Sequence, residues 1–329
     1  MSFFAVLFAL LLEQLKSLPR DTRVHDAAVT WCRWTARNFD AGKPQHARVV
    51  WWLSVAAPAV LVWIAHLLLA KFSLLLALAL NVGVLYLTLG FRSFSHYITD
   101  IRQCLERNDE ATARQLLADW LHLDALELPQ TEVLRHVIEH GLLAAHRHVF
   151  GVFFFFVLMA AVGFGAAGAV FYRMSEFMSR YWAYQSNSLQ APTNEELRRV
   201  STEYFGAVDF LPARLTAFGF AVVGNFEEAI NGWRRDAALW HHGNEGVILA
   251  AAAGAVGIQL GGHAAPGITP DRSKTFSTGV AADTVDSTGS TPGAPVQLAH
   301  LRNVVALVWR SVVLWMLLLA LMTLANLVG

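Results

Sequence analysis

VVWWLSVAAPAVLVWIAHLLLA, residues 49–70, is the stretch that decides the fold. A membrane helix needs roughly 20 apolar residues to cross about 30 Å of hydrocarbon, and this run supplies them without one Asp, Glu, Lys or Arg. After only Lys71 and Phe72 comes SLLLALALNVGVLYLTLGF, residues 73–91. Two such runs joined so tightly form a helical hairpin, so residues 1–48 and 92–148 lie on the same side. Working outward, residues 149–172 and 304–328 read as a third and a fourth span. Backbone amides cannot stay unpaired in lipid, which leaves helices as the spanning form. The expected fold class is all-α: a polytopic integral membrane protein with at least four transmembrane helices and a small cytoplasmic helical lobe.

Composition agrees with that reading. Of 329 residues, 55% are hydrophobic and 15% charged, against about 25% charged in soluble proteins, and mean hydropathy is +0.42. Net charge is zero, so nothing points to nucleic acid as a partner. Cys32 and Cys104 stand apart in polar, helix-like stretches, which excludes a disulfide framework and a thiolate metal cage; both are expected to be reduced thiols. Residues 1–12 are apolar but lack a positive n-region and an Ala-x-Ala site, so they are expected to be retained.

The chain divides into an N-terminal apolar helix and cytoplasmic segment (1–48), the hairpin (49–91), a cytoplasmic helical lobe (92–148), a membrane core with buried or re-entrant helices (149–260), a Gly/Pro/Ser/Thr-rich flexible loop (261–302) and a closing membrane helix (303–329). In the lobe, Ile98, Ile101, Leu105, Ala113, Leu116, Leu117 and Trp120 recur at helical spacing. Arg and Lys near its membrane ends make that side cytoplasmic by the positive-inside rule, placing the chain as a multi-pass protein of a bacterial inner membrane. Arg173, Arg180, Arg198 and Arg199 complicate topology beyond the third span. Residues 3–12, 205–223 and 246–260 are shorter or interrupted, and are expected as amphipathic, re-entrant or protein-buried helices.

Several motifs bear on chemistry. Gly163-Phe-Gly165-Ala-Ala-Gly168 has the spacing of a dinucleotide fingerprint, but that motif works as a strand-to-helix turn; inside a span, small residues for close helix packing are the better reading. His136-Val-Ile-Glu139-His140 places two imidazoles and a glutamate on one helix, as inverted zinc peptidases do, although no third ligand is marked out. His146-Arg147-His148 precedes the third span and can snorkel to lipid phosphates or grip an anion through the arginine fork. Asp209, Pro212 and Arg214 form another cluster, and Glu227, Glu228 and Asn231 a third; ionisable groups in apolar helices are costly and therefore functional candidates.

At these residues the chain resembles the CobD/CbiB and AmpE membrane family. The resemblance runs through Leu10-Leu-Leu-Glu13-Gln-Leu15, Arg107-Asn-Asp-Glu-Ala-Thr-Ala-Arg114, Glu139 to Phe156, Phe171-Tyr-Arg173-Met174 and Asn244-Glu-Gly246 through Gly261-Gly262. Its most specific element is Asp209-Phe-Leu-Pro212-Ala-Arg214-Leu215. The CobD/CbiB branch implies adenosylcobinamide-phosphate synthase of cobalamin biosynthesis, which joins an aminopropanol unit to a corrinoid carboxylate with ATP and Mg²⁺. The AmpE branch implies a regulatory membrane protein without demonstrated chemistry. Where the synthases carry Gly-Arg-Asp-Thr this chain has Ala118-Asp-Trp-Leu121, and where they carry Asn-Thr-x-Asp-Ser it has Arg173-Met-Ser-Glu-Phe177. Those departures favour an AmpE-like signalling or regulatory protein that binds a ligand or partner, with the synthase as the alternative and the zinc peptidase third. The resemblance implies one polar pocket of Glu139, Arg147, His148, Arg173, Asp209, Arg214 and Asn244, and no metal-ligand set. The partners expected are the lipid bilayer, a corrinoid or other small anionic ligand, and a second copy of the chain.

Overall fold

Apolar length and glycine position set this architecture. In the computed structural model, residues 2–15, 23–121, 125, 127–186, 195–240, 243–262 and 290–328 are described. Among them every extended element is helical, with only two isolated bridges besides, as the all-α class requires. Helix α1 (Ser2–Leu15) and α2 (Arg23–Phe39) precede α3 (Pro44–Phe72), which starts with proline at its first turn, where the missing N–H costs nothing. Ser73 is extended and its hydroxyl accepts from the Leu75 amide at 3.2 Å, ending α3 and starting α4 (Leu74–Thr88). The hairpin is therefore present, but its second arm has 15 residues, about 22 Å at 1.5 Å per residue, shorter than a full crossing.

Helices α5 (Phe91–Glu106) and α6 (Glu110–Leu121) pack on one another through Tyr97 and Trp120, whose rings stack 5.3 Å apart. Helix α7 (Gln130–Ala145) then runs through a π turn (His146–Phe150) into α8 (Gly151–Ala161). Here the expected boundaries change. Residues 136–148 belong to a helical stretch, Gln130–Ala161, that is itself long and apolar enough to cross a membrane.

The third span expected over residues 149–172 is likewise corrected. The helix ends at Ala161, and Gly163 (φ 86°) and Gly165 (φ 58°) take the left-handed conformation that reverses the chain. The Ala166 amide, opening the next helix, donates to Asn81 Oδ1 at 3.1 Å. Helix α9 (Ala167–Ser186) returns along α3: Phe164 lies 4.9 Å from Trp63, Phe171 lies 6.2 Å from Trp51, and Met178 meets Cys32 of α2. Gly168 makes the return possible, since a Cβ there would stand 2.1 Å from the Phe155 carbonyl oxygen. Two glycines of the fingerprint-like motif thus make a turn, and the third lets helices touch.

The remaining helices are α10 (Glu195–Val208), α11 (Phe210–Val223), α12 (Phe226–Asp236), α13 (Gly243–Val256) and α14 (Leu298–Val328). Pro44–Phe72, Gln130–Ala161 and Leu298–Ala325 are long and apolar enough to span; α10 and α11, bent by 48° at Asp209, make a fourth if counted as one broken span. Helices α12 and α13 pack closely, with Gly254 against the backbone of Glu228. The centre of the expected loop, residues 263–289, lies outside the described residues. Its flanks pair: the Thr291 amide donates to the Leu260 carbonyl at 2.8 Å and the Gln259 amide to the Ala294 carbonyl at 2.9 Å.

Candidate functional site

The polar centre is organised by the π turn. A π turn widens the helix and is favoured at functional sites; here it buries five successive residues, His146 to Phe150. Three consecutive polar side chains consequently reach three different elements.

His146 meets α11. Its Nε2 lies 2.8 Å from Asp209 Oδ1 and its Nδ1 2.9 Å from Thr216 Oγ1. The Tyr172 hydroxyl of α9 donates to the same Asp209 oxygen at 2.7 Å. Asp209 stands at the break between α10 and α11 and is buried, so its charge is held by partners on two other helices. Charge-assisted hydrogen bonds of this kind are about twice as strong as neutral ones.

Arg147 donates to Glu245 Oε1, at the start of α13, at 2.5 Å. His148 is packed beside Gly90, where a Cβ would lie 2.8 Å from Nδ1, and is within electrostatic reach of Arg147, Arg173, Glu176 and Arg180. Glu176 is fully buried and pairs with Arg180 and, at 2.7 Å, with Arg173 Nη1. Arg173 remains 22% exposed. Three arginines and one glutamate thus converge around one buried histidine, with Glu245 pairing to Arg147 from α13, a combination suited to holding a carboxylate or phosphate.

The seven expected residues do not all meet. Arg147, His148 and Arg173 share this charged network, and Asp209 joins its edge through Tyr172 and His146. Arg214 and Asn244 form a separate pair: Arg214 Nη1 donates to Asn244 Oδ1 at 3.1 Å and Asn244 Nδ2 to the Gly206 carbonyl at 2.9 Å. Glu139 lies elsewhere. Its Oε1 accepts from the Gly261 amide at 2.7 Å, while Arg135 Nη1 donates to the Gly261 carbonyl at 2.9 Å. Among the described residues no three His, Cys, Asp or Glu converge as a group that could hold a metal ion. Glu176, Arg180 and Glu245 are not among the site residues expected from the sequence; the spacing Arg173, Glu176, Arg180 is one helix face and is the signal that marks the first two.

The fold and this centre define a class: a polytopic helical membrane protein whose charged residues are paired inside the bundle. Compared with known proteins, residues 2–284 match the family model described as CobD/CbiB protein, and the chain belongs to the CobD/CbiB family. Among its relatives, the cobalamin biosynthesis protein CobD of Stutzerimonas stutzeri is 30% identical over 328 residues, 96% of each chain. The CobD of Chromobacterium violaceum is 30% identical over 66% of this chain and 68% of its own, and the CbiB of Salmonella typhimurium 26% over 56% of each. No solved structure matches. These relatives carry cobalamin-biosynthesis names, which moves the balance from the AmpE-like, regulatory reading to its alternative.

Proposed function

We propose that this chain acts in cobalamin biosynthesis, at the amide-forming step that joins an aminopropanol unit, as its phosphate, to a corrinoid carboxylate at the expense of ATP. The observation that carries the reading is the end-to-end match to a protein named for cobalamin biosynthesis, over 96% of both chains. The chemistry of the centre supports it. Each participant in such a reaction is anionic, and Arg147, Arg173 and Arg180 offer forked donors that match carboxylate and phosphate. Arg173, the most exposed member of its pairing, is the first contact, and Glu176 holds it and Arg180 in place. Asp209 and Tyr172 orient the His146 ring at the edge of the network.

The described donors do not form a protein-only Mg²⁺ cage. They suit the mode in which the ion arrives with nucleotide phosphates and takes one or two carboxylates. Glu245, whose side chain keeps 14% exposure beside Arg147, is placed to join it; bound there, the ion would offset phosphate charge.

The protein resides in a bacterial inner membrane with α2, α5 and α6 on the cytoplasmic side, where ATP is available. The return of α9 supports this orientation, because it brings Arg180, Arg198 and Arg199 to the side that carries Arg33, Arg37 and Arg48. The test is ATP consumption by purified protein: it should require cobyric acid and aminopropanol phosphate together. Turnover without either, or none with both, would remove the proposal.

A further inference from the structure

Asp209 stands at the N-cap of α11 without capping it: its side chain makes no hydrogen bond to the amides of the first turn. Aspartate is favoured at an N-cap because its carboxylate accepts from the second or third amide of the helix. Here the third residue of α11 is Pro212, which has no N–H, so the sequence Asp-Phe-Leu-Pro removes one of those donors and leaves the carboxylate for other partners. Oδ1 takes two of them, the Tyr172 hydroxyl and the His146 ring. No described residue donates to Oδ2. The side chain keeps 6% of its surface, so the carboxylate is nearly buried yet not sealed.

Cationic groups lie beside that carboxylate. The Tyr172 hydroxyl is within electrostatic reach of Arg147 as well as of Asp209, and Arg173, the next residue of α9, is within reach of Tyr172. Arg173 is 22% exposed and has Glu176 as its partner, while Arg214 is engaged with Asn244 and with the Phe210 carbonyl. A carboxylate with one oxygen unengaged, set near a partly exposed guanidinium, is complementary to a small zwitterion. The positive nitrogen suits the carboxylate and the anionic group suits the arginine fork. A purely anionic molecule would satisfy Arg173 and be repelled by Asp209.

We infer that Asp209 Oδ2 receives the amine of the aminopropanol phosphate, with the phosphate on Arg173, and that Asp209 thereby selects the nucleophile of the amide-forming step. The inference rests on that reading of the site and adds to it the places of the two ends of one substrate. Because His146 and Tyr172 hold Oδ1 from two other elements, the direction of Oδ2 is set before the amine arrives, which lowers the ordering cost of binding. Asp209 is in this account a specificity-determining residue, and the bonds to Oδ1 are what aim it.

The experiment is calorimetric binding to the purified full-length protein in lipid nanodiscs, with two probes: aminopropanol phosphate, and propanediol phosphate, which carries a hydroxyl in place of the amine. The unaltered protein should bind the amine about tenfold or more tightly than the hydroxyl compound, the worth of a hydrogen bond between charged groups. Asp209→Asn should bring the two to equal affinity while binding propanediol phosphate at least as well as before. Arg173→Gln should weaken both by the same factor and keep their ratio. Equal affinities in the unaltered protein, or a preference for the amine that survives Asp209→Asn, would overturn the inference and leave the phosphate site of the amide-forming reading standing. Binding of neither compound would remove that reading and the inference with it. Because the first comparison needs no variant, poor folding of Asp209→Asn leaves the inference open to refutation.

Discussion

The Tyr172 hydroxyl and the His146 Nε2 both meet a single oxygen, Asp209 Oδ1, at 2.7 and 2.8 Å. Tyr172 comes from α9, His146 from the π turn and Asp209 from the break in the α10–α11 pair, so one carboxylate ties three elements together. Removing a hydroxyl that satisfies a buried acceptor costs about 1–3 kcal/mol. Tyr172→Phe should therefore lower the thermal midpoint of the protein in nanodiscs while leaving its helical content intact. A midpoint equal to that of the unaltered protein would mean that Asp209 does not depend on this bond.

Glu176 should be harder to replace. Breaking a buried ion pair by deleting one partner leaves uncompensated charge and costs about 3–5 kcal/mol, and Glu176→Ala would strand both Arg173 and Arg180. The exposed pair Glu195–Arg198 is the natural comparison, because surface pairs contribute little. Urea or thermal unfolding should show a large loss for Glu176→Ala and almost none for Glu195→Ala. Comparable losses would contradict the assignment of Glu176 to a buried network.

The reversal at residues 162–166 makes a steric prediction. Gly168→Leu places side-chain atoms where the Phe155 carbonyl already stands, and overpacking of this kind typically costs about 1–3 kcal/mol, occasionally more. Gly206→Leu adds a side chain where nothing lies within 4 Å. Expression level and thermal midpoint should fall for the first and hold for the second. If both behave alike, α8 and α9 do not pack as described.

That reversal also marks where the sequence stops being legible. The runs at 49–70 and 304–328 announce themselves, because lipid-facing helices must be apolar all round. The run at 149–172 looks equally continuous, yet Gly163 and Gly165 break it; an apolar glycine pair reads the same whether it packs two helices or turns a chain. With the chain reversed there, α9 and the start of α10 pack beside α2, Leu197 and Val200 clustering with Cys32. His136, Glu139 and His140 misled in the opposite sense. They look like a soluble helix, but all three are buried, and Glu139 is held by Gly261, 122 residues away, a distance no local pattern records. Arg147 and His148 were visible as an unusual group before an apolar run. Their partners Glu245 and Glu176 were not, because each sits on a different helix.

The two cysteines offer a chemical check on burial in α2. Cys32 has no exposed surface and burial pushes its thiol up to about 12, so at pH 8 thiolate is outnumbered by thiol about 10,000-fold. The thiolate is the reactive form. Maleimide should therefore modify the partly exposed Cys104 first, with Cys32 reacting only on unfolding. Equal labelling rates in the folded protein would place α2 away from α9.

The central claim is most directly tested by complementation of a bacterial strain lacking its cobinamide-phosphate synthase, scored as cobalamin-dependent growth on cobyric acid, with Asp209→Asn alongside. The account predicts that the unaltered chain restores growth and that Asp209→Asn, present in the membrane at the same level, restores it poorly or not at all. No growth with the unaltered protein demonstrably in the membrane would contradict the biosynthetic role and return the balance to a regulatory one.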